Sequence, residues 1–135
     1  MICLDSTFLI DFLRDDGETR AVAEELELSG KLSTTEINAF EIASGIEQSD
    51  LSDDKKEEKM KQAEALFNRV ELLSLDHEAA LKAAEIIGEL KRKGRSVDTL
   101  DSLVAGIALT NGCEVIVTRN EKHFQPIEGV DVKSY

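Results

Sequence analysis

MICLDSTFLIDFL, residues 1–13, decides how this chain folds. Ile2-Cys3-Leu4 is a short, wholly apolar run and reads as a buried strand. Ser6 is read as the N-cap of a following helix, with Phe8, Leu9, Phe12 and Leu13 on one face. Asp5 stands between the two, a carboxylate at the end of a buried strand.

The same rhythm continues along the chain. Asp15-Asp16-Gly17 breaks the first helix, and residues 19–28 read as a second, with Val22 and Leu26 inward, ending before Gly30. Residues 31–34 read as a short strand. A helix over 36–47 follows, with Ile37, Phe40 and Ile42 inward. The densely charged stretch 48–64 fits a helix capped near 52–53, carrying Met60, Ala63, Phe67 and Val70 at helical spacing. Residues 70–75 read as a strand, and Asp76 caps a helix over 77–93 with Ala80, Ala83, Ala84, Ile87 and Leu90 inward, ended by Gly94. Leu100, Leu103, Val104, Ile107 and Ala108 mark a strongly amphipathic helix. Residues 115–117 read as a buried strand and 130–132 as an edge strand. Strands alternating with helices predict an α/β fold with a mainly parallel sheet. No repeat and no linker rich in Pro or Gly interrupts it, so residues 1–135 are expected to form one domain.

Apolar residues at 41% and charged residues at 33% suit a folded globular chain rather than a disordered one. No apolar run approaches the roughly 20 residues that span a bilayer, and the N-terminus lacks the pattern of a signal peptide. Cys3 and Cys113 lie in or beside apolar runs with no metal-type spacing, so both are expected as buried free thiols in a reducing cytoplasm. A net charge of −12 argues against broad, non-specific adhesion to nucleic acid. It leaves room for an enzyme that holds a phosphodiester through metal ions.

Four positions carry that chemistry: Asp5, Glu41, Asp101 and Asn120. In a parallel sheet, ligands bind beyond the carboxyl ends of the strands, where Asp5 and the Thr118-Arg119-Asn120 turn fall. Asp101 lies in the first turn of its helix, where the dipole tolerates an anion. Two carboxylates about 4 Å apart at an effective dielectric near 20 repel by roughly 4 kcal/mol. Convergence of three would force raised pKa values or a bound cation. Hard oxygen donors suit Mg²⁺ or Mn²⁺, which keep waters and bind phosphate oxygens. Asp98 is read as the N-cap of the Asp101 helix, with a supporting contact to water or metal as the alternative. Ser6 and Thr118 are candidates to hydrogen-bond a carboxylate or phosphate, with capping and turn roles as the alternatives. Lys91, Arg92, Lys93 and Arg95 form the one basic cluster, read as either an answer to the helix dipole or an RNA-backbone contact. Arg119 is a further candidate for RNA contact.

These motifs carry a family resemblance. The chain resembles PIN-domain proteins, above all the VapC-type toxins of toxin–antitoxin pairs. The matching elements are Asp5-Ser6-Thr7-Phe8-Leu9-Ile10, then Thr35, Ile37, Glu41-Ile42 and Gly45. Gly94 with Asp101-Ser102-Leu103-Val104-Ala105-Gly106 follows, and then Thr118-Arg119-Asn120 with Phe124. The resemblance implies a three-layer α/β/α fold and an Mg²⁺- or Mn²⁺-dependent endoribonuclease, with Asp5, Glu41 and Asp101 as metal-site and catalytic acids. It also implies an RNA substrate, a cognate antitoxin partner that sets an Arg into the acidic pocket, and a homodimer. Asn120 replaces an acid and His123 stands where many relatives have Asp, which favours one firmly held ion over two. Gly106 in place of Ala is expected to be a minor packing change.

Three alternatives stay open on the residues alone. One is a PIN-like nuclease of RNA processing rather than a toxin. Another is a phosphatase using an aspartyl-phosphate at Asp5, although Thr7 stands where that chemistry wants a second Asp. The third is a catalytically weak binding module with a decayed site.

Overall fold

The structure, a computed structural model, describes residues 1–135. Its elements run β1 (Ile2–Leu4), α1 (Ser6–Leu13), α2 (Gly17–Ser29), β2 (Leu32–Thr35), α3 (Glu36–Glu47) and α4 (Asp53–Phe67). Then come β3 (Glu71–Leu73), α5 (His77–Arg92), α6 (Thr99–Thr110), β4 (Val115–Val117), α7 (Glu121–Phe124) and β5 (Asp131–Lys133). The strands form one sheet in the order β3-β2-β1-β4-β5, and every pairing is parallel. The expected α/β fold is therefore observed, with a sheet wholly rather than mainly parallel.

The pleat sends successive side chains of each strand to opposite faces. Cys3 and Ile116 point into a core built with α5 and α6, which includes Ala79, Ile86, Leu90, Val104 and Ile107. Ile2, Leu4 and Val117 point into a second core with Phe8, Leu9, Leu26, Ile42, Ala63 and Leu66 from α1 to α4. Helices thus cover both faces, giving the three layers. Both cysteines are free and buried. No helix is long and apolar enough to cross a membrane.

Several local readings are corrected. Asp5, not Ser6, occupies the N-cap position of α1, and its side chain makes no capping bond. Ser6 is the first helical residue, and its N–H donates to Asn38 Oδ1 at 3.2 Å. Phe40 is exposed, because α3 turns Asn38 and Ile42 inward instead. On α5 Ala83 and Leu90 are buried as expected, but their companions are Ala79 and Ile86; Ala80, Ala84 and Ile87 are exposed. The helix α6 is not amphipathic in its middle: Ser102 and the whole run from Val104 to Ala108 are buried.

Gly106 is the reason α5 and α6 lie so close. A Cβ there would sit 2.7 Å from the Ala79 carbonyl oxygen and 2.9 Å from the Ala83 nitrogen. Both are backbone atoms of a packed helix and cannot step aside. Gly106 is thus a requirement of the packing, not the minor change expected.

Candidate active site

The chain moves from β1 outward through β2 and β3, then returns to β4 and β5 on the other side of β1. The direction of winding therefore switches between β1 and β4, where open parallel sheets form ligand crevices. Asp5 follows β1 and Thr118 follows β4, so both stand at that crevice. The Asp5 N–H bonds the Val117 carbonyl at 2.9 Å and ties the two strand ends together.

Asp5 is 4% exposed. Its Oδ2 accepts hydrogen bonds from Thr118 Oγ1 at 2.8 Å and Thr7 Oγ1 at 3.2 Å. Each hydroxyl has a single proton. Their lone pairs are used as well: Thr7 accepts from the Arg119 N–H and Thr118 from the Asn120 N–H, both at 3.0 Å. The turn after β4 thereby aims both hydroxyls at Asp5. Burial still raises the Asp5 pKa, against the lowering effect of the Thr118 bond.

Glu41, on α3, is half-buried, and Ser6 Oγ donates to its Oε1 at a long 3.5 Å. Its pKa is raised to about 7, first by burial, then by the negative charges of Asp5 and Asp101. Asp101, in the first turn of α6, is also raised, by burial and then by Asp5. His123 Nδ1 lies 3.1 Å from Asp101 Oδ2 and opposes that rise. The structure thus brings Asp5, Glu41 and Asp101 within electrostatic reach of one another, with Ser6 and Thr118 beside them.

The other candidates are placed differently. Asp98 caps α6, its Oδ1 accepting from Leu100 N at 2.9 Å and Asp101 N at 3.3 Å. Asn120 is exposed, with no side-chain capping bond. Arg119 is tied to Asp11 by an ion pair, and Tyr135 OH donates to the same Asp11 oxygen at 2.7 Å. Arg92 and Arg95 are exposed, and Lys93 pairs with Glu128 at 3.0 Å. All three sit at the end of α5 and in the loop that leads to Asp98.

Besides Thr7, two residues of the site were not singled out for it by the sequence. Asn38 is fully buried and donates to the Leu4 carbonyl at 3.2 Å and Thr34 Oγ1 at 3.1 Å while accepting from Ser6. It pins the end of β1 to α1 and β2, and a polar residue on an otherwise apolar helix face was its one sequence signal. His123 was visible only as a departure from a motif.

A profile of the PIN domain matches residues 2–129. The chain belongs to the PIN-domain family. It is 29% identical over 116 residues to the tRNA(fMet)-specific endonuclease VapC of Shigella flexneri, covering 85% of this chain and 84% of that one. The DNA-bound VapBC structure from Salmonella typhimurium matches with a TM-score of 0.84 at 28% identity, over 98% of this chain and 96% of the other. VapBC2 of Rickettsia felis, bound to a promoter DNA fragment, matches with a TM-score of 0.87 over 100% and 99% of the two chains. At 21% identity that likeness bears on the PIN fold alone.

Within this PIN domain the charge of Asp5 raises the pKa of both Glu41 and Asp101, and that of Asp101 raises Glu41. As they stand, no three or more acidic, imidazole or thiol side chains are placed to hold a metal ion together. Carboxylate oxygens are the donor type that Mg²⁺ and Mn²⁺ take, few at a time and alongside several waters.

Proposed function

We propose that residues 1–135 form one PIN domain acting as an Mg²⁺- or Mn²⁺-dependent endoribonuclease, the toxin of a type II toxin–antitoxin pair in a reducing cytoplasm. One observation carries this reading. Glu41 is pushed to about 7 by burial and by two neighbouring carboxylates, with no Lys or Arg ion-paired to any of the three. Acids held together without a fixed cation are stabilised by a mobile one.

In this reading Asp5, Glu41 and Asp101 are the catalytic and metal-holding acids. A bound ion would lower the pKa of water for in-line attack on the phosphodiester, so no covalent nucleophile is needed. Thr7 and Thr118 hold Asp5 Oδ2 in one orientation, and Ser6 supports Glu41. Asp98 fixes the backbone of Asp101. Asn120, exposed beside the crevice, orients water or phosphate. Arg92, Lys93, Arg95 and Arg119 contact the RNA backbone. The relatives' names, an endonuclease acting on tRNA(fMet) and VapBC complexes, support an RNA substrate and an antitoxin partner.

A cavity of about 320 Å³ lies between α1, α3 and α4, lined by Ile10, Leu13, Ile42, Gly45 and Ile46, with Glu41 also in its wall. Such a groove suits an apolar antitoxin segment that ends in an Arg directed at the acids. Homodimerisation is supported by the outward apolar residues of α5, where Leu81 is 59% and Ile87 38% exposed.

The test is chelation and restoration. The purified chain, freed of its partner, cleaves RNA with Mn²⁺ or Mg²⁺, stops with excess EDTA and resumes on adding metal. Undiminished cleavage in EDTA would overturn metal dependence, and no cleavage of any RNA with metal present would overturn the nuclease reading.

A further inference from the structure

The three acids are each approached by a side chain from a different element. Thr118, after β4, holds Asp5, and Ser6 of α1 reaches Glu41. For Asp101 the corresponding group is His123 of α7, with Nδ1 3.1 Å from Oδ2. The Asp98 cap fixes the backbone of Asp101 through its N–H but does not touch the carboxylate. Left to itself, that carboxylate could rotate about its own χ angles.

His123 sits on a rigid mount. Phe124 beside it is fully buried, and the His123 N–H donates to the Asn120 carbonyl at 3.0 Å. The imidazole itself is more than half exposed, so it fills no core space. A carboxylate facing Nδ1 selects the ring form with the proton on Nδ1 and makes it the donor. Outer hydrogen-bond partners of this kind orient metal-binding groups and are worth one to two orders of magnitude in affinity.

We infer that His123 is a positioning residue for Asp101: its Nδ1–H holds Oδ2 and leaves Oδ1 directed to a cation in the acidic crevice. The inference rests on the reading of Asp101 as a metal-holding acid. It gives His123 a role without making it a ligand, and it explains how a histidine serves where an acid would otherwise stand.

The experiment is Mn²⁺ binding by calorimetry on the full chain without RNA, comparing wild type with His123→Ala, His123→Asn and Asp101→Asn. His123→Ala weakens Mn²⁺ binding about 10- to 100-fold. His123→Asn, whose amide N–H falls near the position of Nδ1, recovers most of the loss. Melting temperatures of both stay at the wild-type value, because the ring is exposed. Wild-type affinity in His123→Ala, or no recovery in His123→Asn, overturns the positioning role. Weakening by Asp101→Asn alongside either result leaves the metal site standing and rejects His123 alone. Unchanged affinity in Asp101→Asn rejects the site assignment itself.

Discussion

Glu41 shows what the crevice asks of a single residue. Its carboxyl titrates at about 7 instead of 4.5, because burial and two like charges disfavour its anion. An acid whose pKa is raised by folding binds more protons in the folded state than in the unfolded one. Its contribution to stability is then complete below about pH 4.5 and is lost as pH rises to about 7. Asp5 and Asp101, also raised, add in the same direction. Urea melts of metal-free protein should show stability falling between pH 5 and 7.5, with a smaller fall in Glu41→Gln and a smaller fall again with Mn²⁺ present. An identical slope in Glu41→Gln would contradict the shift. Asp5 was legible in the sequence because a carboxylate after an apolar run has a cost that demands a reason, while Glu41 and Asp101 were tied to it by the family motifs. Asn38 and Thr7 were not assigned to the site, because their value lies in bonds to distant elements, such as Asn38 to the Leu4 carbonyl and the Arg119 N–H to Thr7.

At the scale of elements, α5 and α6 show where periodicity stops deciding. The α5 sequence places apolar residues in adjacent pairs: Ala79-Ala80, Ala83-Ala84 and Ile86-Ile87. Two stripes 100° apart therefore fit a helix equally well. The choice is made by contact with Gly106, which admits the Ala79 and Ala83 backbone. Gly106→Ala should cost about 1–3 kcal/mol or more through overpacking. At roughly 4 °C for each kcal/mol, calorimetry should register a clear fall in melting temperature. A melting temperature equal to wild type would show that the helices separate without penalty. The same stacking explains why α6 was misread as amphipathic. It lies between α5, the sheet and α7, so nearly every side is covered, and small residues tolerate that without an apolar stripe to announce it.

The whole molecule is a scaffold that sends a strand end, two helix faces and a turn to one crevice. Its order of elements was readable from strand and helix alternation, and its three layers followed once both faces of β1 proved buried. Surface roles were less readable, since exposure depends on the partner helix chosen. The stripe of α5 left outside, with Leu81 59% exposed, is consistent with pairing of two copies. Leu81→Glu should leave the fold intact and convert a dimer to a monomer in sedimentation, and a persistent dimer would place the contact elsewhere.

Asp5→Asn tests most directly whether the converged acids hold a divalent ion for RNA cleavage. The substitution keeps the shape of the side chain and an oxygen for Thr7 and Thr118, but removes the buried charge. Cleavage of RNA in Mn²⁺ by the folded variant is predicted to fall below detection, with a melting temperature equal to or above wild type. Full cleavage by a folded Asp5→Asn chain would contradict the account.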